Sequence, residues 1–242
     1  MKSSIRLSGW AAAIVAALLS LVFTTPLPVA AATHTTGCGN NLSCVQTVGK
    51  QLIDVRVTAL NTLIAKVQAN TYLTDPQKNT IQTDAKANIP LLQALETQLM
   101  SETTVASART DVHNIYTNFR IYAIVLPRDY HEIWLDHLSN LHDQFVSGEP
   151  TINQVIQTAA AKGINVTQEQ AQYSDLIAKV TDAGTQVTNA QNLIATLVPA
   201  NYPGTNQTLA TMRGDMKQAN GDLVAAAKDL HQIREELETA GA

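Results

Sequence analysis

The chain has 242 residues, of which 45% are hydrophobic and 5% aromatic, and it carries 16 basic and 20 acidic side chains. The formal net charge of −4 argues against a nucleic-acid-binding protein and against attachment to an anionic membrane surface, because both usually need a basic patch. Abundant alanine with few aromatic residues favours closely packed helices.

Residues 1–32 are typical of an export signal peptide. Lys2 and Arg6 supply the positive start, residues 10–23 form an uncharged apolar run, and small residues precede the predicted cleavage after Ala31 or Ala32. An uncleaved anchor is the alternative, but the run is shorter than the roughly 20 residues that a spanning helix needs. We therefore expect a secreted or cell-envelope protein whose mature chain has no stable membrane insertion.

Residues 33–46 contain both cysteines of the chain, Cys38 and Cys44, with five residues between them. In an exported protein this spacing predicts a structural disulfide. A redox pair usually has two intervening residues, and no further cysteine is present to complete a zinc site. Lipidation of Cys38 is an alternative to the disulfide.

Residues 47–242 are predicted to form one helical bundle domain. Apolar side chains recur there at alternating steps of three and four, which predicts helices. Short connections between long helices indicate antiparallel neighbours. The predicted fold is all-α, an elongated antiparallel helical bundle with coiled-coil-like heptad packing. The periodic segments are 53–67, 81–99, 105–126, 176–197 and 209–237.

The predicted helix boundaries carry recognisable capping and breaking residues. Thr74 or Asp75 can cap a helix whose first turn contains Pro76. Residues 147–150, with a glycine and a proline, predict a loop before a short helix that ends near Gly163, and residues 198–204 predict another loop.

Two prolines lie inside periodic segments. Pro90 and Pro127 should each kink a helix, because proline lacks the N–H group and crowds the preceding turn. Alternatively, Pro127 starts a new helix over residues 128–146, the most aromatic part of the chain.

Three histidines, His131, His137 and His142, lie on this next helix. His131 and His142 are predicted to face the same way, but Leu135 and Leu138 occupy the positions between them. No nucleophile elbow, phosphate loop, dinucleotide loop or carboxylate-bridged iron signature is present. We therefore predict no catalytic residue, no cofactor and no metal site, and a protein that is not an enzyme.

Two arginines flank residues 121–126, the longest apolar run after residue 32. Arg120 and Arg128 could hold an anionic ligand near the predicted kink, or they could form ion pairs with nearby acids such as Asp111, Asp129 or Glu132. The candidate ligand-binding residues are Arg120, Arg128, His131 and His142.

A resemblance to other proteins extends over residues 105–136, and its main part is residues 119–128, with the sequence FRIYAIVLPR. This stretch resembles a segment of secreted α-helical, coiled-coil-like bacterial proteins that have no established activity. The resemblance implies an exported fold of long helices and implies no activity.

Two roles remain after these exclusions. The first is a secreted or cell-envelope structural or interaction protein, with a protein partner or with self-association. The alternative is an extracellular binding module for a small ligand or metal ion, centred on residues 120–142.

Overall fold

A computed structural model describes residues 35–241 of the chain, with side chains from residue 37 onward. The predicted signal peptide and cleavage site lie outside the described residues. Within the described range the secondary structure consists of helices and short helical turns, with no strand, so the prediction of an all-α protein is confirmed. None of these helices is long and apolar enough to cross a membrane.

The described chain divides into two compact units. The first contains residues 35–136 together with Leu193–Leu209, and the second contains His137–Asn192 together with residues 210–241. The prediction of one helical bundle domain over residues 47–242 rested on the periodicity of apolar residues. That periodicity indicates helices but not how the helices group in space.

The first unit is built from three complete helices and the beginning of a fourth. They are α1 (Leu42–Ala69), α2 (Asp75–Ser101), α3 (Val105–Thr117) and the start of α4 (Leu126–Ala161), and a π-helical turn (Ile121–Val125) precedes α4. Helix α1 packs against α2 and α3, and α2 also packs against α3.

Helices α1 and α2 run in opposite directions. Near the start of α1, Gln46 Nε2 donates to the Leu99 carbonyl oxygen at 3.2 Å, close to the end of α2. Toward the other end, Gln82 Nε2 donates to Gln68 Oε1 at 2.9 Å. The connection ends in a capping box in which Thr74 and Gln77 satisfy each other's backbone N–H groups, which confirms the predicted cap.

The disulfide lies at the N-terminus of α1. Cys38 and Cys44 are at disulfide distance, with Sγ atoms 2.03 Å apart, as their spacing predicted. Asn41 caps α1 by accepting from the Cys44 backbone N–H, so α1 begins at Leu42 and already contains the second cysteine.

The second unit contains the remainder of α4, most of α5 (Thr167–Ile194) and most of α6 (Thr205–Thr239). Tyr173 Oη donates to the Glu149 carbonyl oxygen at 3.3 Å and thereby joins α5 to α4. Lys179 Nζ lies 2.7 Å from an Asp229 carboxylate oxygen and joins α5 to α6.

The loop predicted at residues 147–150 was wrong, because α4 continues through Pro150 without a break. The buried side of α4 keeps its steps of three and four through Leu141, Phe145, Gly148 and Ile152. Pro150 itself is exposed. Burial of the apolar side chains on both sides therefore outweighs the hydrogen bond that proline removes.

The continuous helix predicted over residues 105–126 was also wrong. Helix α3 ends at Thr117, Arg120 takes the left-handed conformation with φ of 48°, and the π-helical turn follows. After this break Ile121, Ile124 and Val125 are the buried side chains. The chain turns so that these β-branched residues enter the core together with Leu126, which is also buried.

Pro127 lies in the first turn of α4. The π-helical turn continues into α4 without a gap, so Pro127 does not start a separate helix over residues 128–146; the break lies before the π-helical turn, at Arg120. Pro90, by contrast, lies inside α2.

Candidate functional site

The predicted candidate residues have different surroundings. Arg128 Nη2 lies 2.8 Å from Asp84 Oδ2 and 2.7 Å from Asp129 Oδ1, so its charge is balanced by two carboxylates. Pairing with Asp129 was the alternative that the sequence left open for this arginine. Arg128 is therefore held in an ion-pair network that joins α4 to α2.

His131 and His142 each make contacts with near neighbours on α4. His131 Nδ1 contacts the Pro127 carbonyl oxygen, and His142 Nδ1 lies 3.1 Å from Asp143 Oδ1. The described residues contain no group of three or more His, Cys, Asp or Glu side chains that could hold a metal ion.

Arg120 has different surroundings. Its guanidinium carbon lies 4.2 Å from the centre of the Tyr202 ring, and its Nε atom is buried without a hydrogen-bond partner. Tyr202 comes from the loop between α5 and α6, next to a short 3-10 helix (Pro199–Asn201). A left-handed backbone is uncommon for residues other than glycine, and it costs about 1–2 kcal/mol at Arg120.

Arg120 lines a cleft of about 290 Å³ within the first unit, which we call the arginine–tyrosine cleft. Five of its lining residues are aliphatic, and together we call them the aliphatic wall: Leu52, Val55, Ile115, Ile121 and Ala123. The other five are polar or aromatic: Arg56, Tyr116, Arg120, Tyr122 and Tyr202.

Arg56 is the most deeply buried charged group of the cleft wall, with 5% of its surface exposed. Its guanidinium carbon lies 4.8 Å from the centre of the Tyr116 ring and 5.1 Å from that of Tyr122. Nη1 donates to the Leu52 carbonyl oxygen at 2.8 Å, whereas Nε has no hydrogen-bond partner. Cation–π contacts thus take the place that a carboxylate usually has beside a buried arginine.

The electrostatic character of the cleft is positive. Burial lowers the pKa of Arg56, and the nearby Tyr116 and Tyr122 oppose that effect; an arginine side chain stays protonated in proteins. No acidic residue lines the cleft, and in the part of the chain that the structure describes neither Arg56 nor Arg120 forms an ion pair.

Burial also changes the pKa of Tyr122 in the cleft. Its hydroxyl donates to the Val55 carbonyl oxygen at 3.2 Å. Burial raises the pKa of Tyr122, and the Arg56 charge partly offsets this rise. The phenol therefore remains a neutral hydrogen-bonding group beside the two cations.

A row of carboxylates on α4 lies apart from the residues that line the cleft. Burial raises the pKa of Asp129 to about 6, that of Glu132 to about 7 and that of Asp136 to about 6. Arg128 opposes the rise at Asp129 and Glu132, whereas Asp84 adds to it. These groups bind protons more tightly when the protein is folded.

The sequence predicted Arg120 as a candidate but missed Arg56, Tyr116, Tyr122 and Tyr202. A readable signal existed for Arg56, which stands three residues after Ile53 and four before Leu60. The buried side of α1 follows the positions 49, 53, 56, 60, 63 and 67, so an arginine occupies a core position of the heptad. Tyr202, far away in the chain, gave no comparable signal.

Comparison of this chain with protein-family models, with curated proteins and with solved structures found no match.

Proposed function

We propose that this protein is a binding module without catalytic activity, and that it takes one small ligand into the arginine–tyrosine cleft. The observation that carries this proposal is Arg56, which is 5% exposed, lines the cleft and has an unsatisfied Nε atom. The proposal develops the second of the two predicted roles and shifts its centre toward α1 and Tyr202.

The energetic reason is the cost of burying a charge. An unpaired ion loses its hydration on burial, at an effective cost of several kcal/mol, and a cation–π contact returns about 2 kcal/mol of this. Arg56 has two such contacts and hydrogen bonds with the Leu52 carbonyl oxygen and the Tyr116 side chain, but no anionic partner. A bound anionic ligand can balance this charge.

The backbone at Arg120 supports the same site. Residues other than glycine that take the left-handed backbone conformation cluster at ligand-binding and active sites. They persist only where the surrounding structure holds them in that conformation. Arg120 has φ of 48° and lines the cleft, and no acidic residue lines the cleft beside it. The strained backbone and the second cation without an ion pair are thus the same residue, Arg120.

A thermal-shift screen of small metabolites tests the proposal. A ligand that binds the native state stabilises it by mass action, by about 2.7 kcal/mol at a concentration 100 times its Kd. Ala123→Trp should fill the cleft and abolish the response, whereas Ala87→Trp, at an exposed position on α2, should preserve it. A wild-type protein that responds to no compound, or an Ala123→Trp variant that responds as the wild type does, would contradict the proposal.

Export is a further part of the proposed function. A leader cleaved after Ala31 or Ala32 would place the cleft outside the cytoplasm, in the extracellular space or cell envelope. The disulfide between Cys38 and Cys44 supports this location, because disulfides persist in oxidising compartments. The intact mass of protein recovered from the producing cell would reveal the cleavage point.

A structural or interaction role is the second candidate. Large apolar side chains stay exposed at several helix positions, among them Leu91 at 58% and Met100 at 48%. We propose that elongated antiparallel, coiled-coil-like packing would present such side chains to a protein partner or to a second copy. Sedimentation of wild type and of Leu91→Ser tests self-association, and a concentration-independent monomer would oppose it.

A further inference from the structure

We infer that the ligand of the arginine–tyrosine cleft is a small organic acid, with a carboxylate held by Arg56 and Arg120 and an apolar body against the aliphatic wall. This inference rests on the proposed binding function and names the chemical class of its ligand.

The charge of the ligand follows from the charges that line the cleft. Arg56 and Arg120 carry two positive charges, and no lining residue carries a negative one. A guanidinium group presents N–H donors in a planar fork that matches the two oxygens of a carboxylate. In a partly desolvated cleft these charge-assisted hydrogen bonds are stronger than in water. A cationic ligand would face two like charges there.

The tyrosine rings support an anionic ligand as well. In an aromatic cage the ring faces receive a cation from the ligand. Here Arg56 already lies over the rings of Tyr116 and Tyr122, and Arg120 lies over the ring of Tyr202. The rings thus hold the cations of the protein itself, and a guanidinium that stacks on a ring keeps its N–H donors at the planar edge. Arg56 already uses part of that edge, since Nη1 donates to the Leu52 carbonyl oxygen.

The aliphatic wall and the size of the cleft define the rest of the ligand. Leu52, Ile115 and Ile121 line the cleft and offer no hydrogen bonds from their side chains. The volume of about 290 Å³ lies just below the usual range for ligand pockets, about 300–1,000 Å³, and therefore fits only a small ligand. A free inorganic anion would leave this wall without a partner, and a nucleotide would be too large and too polar.

Calorimetric titration with matched probes tests the inference on the full mature chain. The acids are benzoate, phenylacetate and cyclohexanecarboxylate, and the comparison probes are the three corresponding amides (benzamide for benzoate), benzylamine and inorganic phosphate. We expect at least one acid to bind, its amide counterpart to bind at least tenfold more weakly, and the amine and phosphate not to bind at millimolar concentrations. Absence of binding by all three acids would overturn the inference.

Substitutions assign the interaction to the two arginines. Arg120→Asn removes the charge and keeps a residue that tolerates the left-handed backbone, so acid binding should fall at least tenfold while benzamide binding is unchanged. Arg56→Lys keeps the charge but loses the fork and should also weaken acid binding. Arg109→Asn, at an exposed position on α3, removes the same charge outside the cleft and should have no effect. Unchanged acid binding in folded Arg120→Asn and Arg56→Lys proteins would overturn the assignment.

The two proposals fail in different ways. If benzamide or benzylamine binds as tightly as the acids and Ala123→Trp prevents it, the cleft binds ligands but the organic-acid inference is wrong. If the acids bind equally well to the Ala123→Trp variant, they bind elsewhere, and the proposed role of the cleft is contradicted as well.

Discussion

At the residue scale, Arg56 shows how a charged side chain can occupy a core position. Its aliphatic stem and the rings of Tyr116 and Tyr122 exclude water, and the Leu52 carbonyl oxygen accepts one of its hydrogen bonds. The remaining donor capacity is what distinguishes this arginine from Arg128, which two carboxylates neutralise.

Replacement of Arg120 should separate stability from binding. Arg120→Gly removes the steric cost of the left-handed backbone and should raise the free energy of unfolding by about 1 kcal/mol, while ligand binding weakens. Urea denaturation and calorimetric titration measure the two effects. Arg109→Gly, inside α3, should instead lower the free energy of unfolding by about 1 kcal/mol, because glycine is a poor helix former. A less stable Arg120→Gly protein would contradict the interpretation of strain.

The carboxylate row on α4 predicts a pH dependence of stability. Asp129, Glu132 and Asp136 have folded-state pKa values of about 6, 7 and 6, above their ordinary values. Between pH 4 and 7 the folded protein therefore binds more protons than the unfolded chain, so stability falls as the pH rises through this window. Glu132→Gln should flatten the dependence of Tm on pH, whereas Glu238→Gln, at an exposed position, should leave it unchanged. A Glu132→Gln profile that parallels the wild type would contradict this assignment.

At the element scale, Gly49 allows the close contact among α1, α2 and α3. A Cβ atom at this position would overlap with Leu99 Cδ2 and would lie 2.8 Å from Val112 Cγ2. We expect Gly49→Ala to lower the free energy of unfolding by about 1–3 kcal/mol through overpacking. Gly214→Ala in α6, where a Cβ atom meets nothing within 4 Å, should instead raise it by about 0.5–1 kcal/mol. Chemical denaturation compares the two, and equal effects would refute the packing argument.

Pro150 provides a test of helix continuity. Because Pro150 is exposed and lies inside α4, Pro150→Ala should restore a helical hydrogen bond and stabilise the protein by up to about 3 kcal/mol. Thermal unfolding followed by circular dichroism measures the change. A destabilised variant with lower helicity would indicate that residues 147–150 form the loop that their composition predicts.

At the scale of the whole molecule, local chemistry accounts for the all-α class and for several helix boundaries. Heptad spacing, the cap at Thr74 and the glycine at position 163 act within a few residues, so each can be read directly from the chain. The cysteine spacing is equally local, since five intervening residues bring Cys38 and Cys44 within bonding distance at the start of α1.

Tertiary packing decided what local chemistry left open. Pro150 stays helical because apolar side chains before and after it are buried, and the chain turns at Arg120 because Ile121 and Ile124 enter the core. The candidate site has the same origin, since Tyr202 reaches Arg120 from a loop some eighty positions later in the chain. Periodicity reports which side of a helix is apolar, whereas the residues that meet across a cleft depend on how distant segments pack.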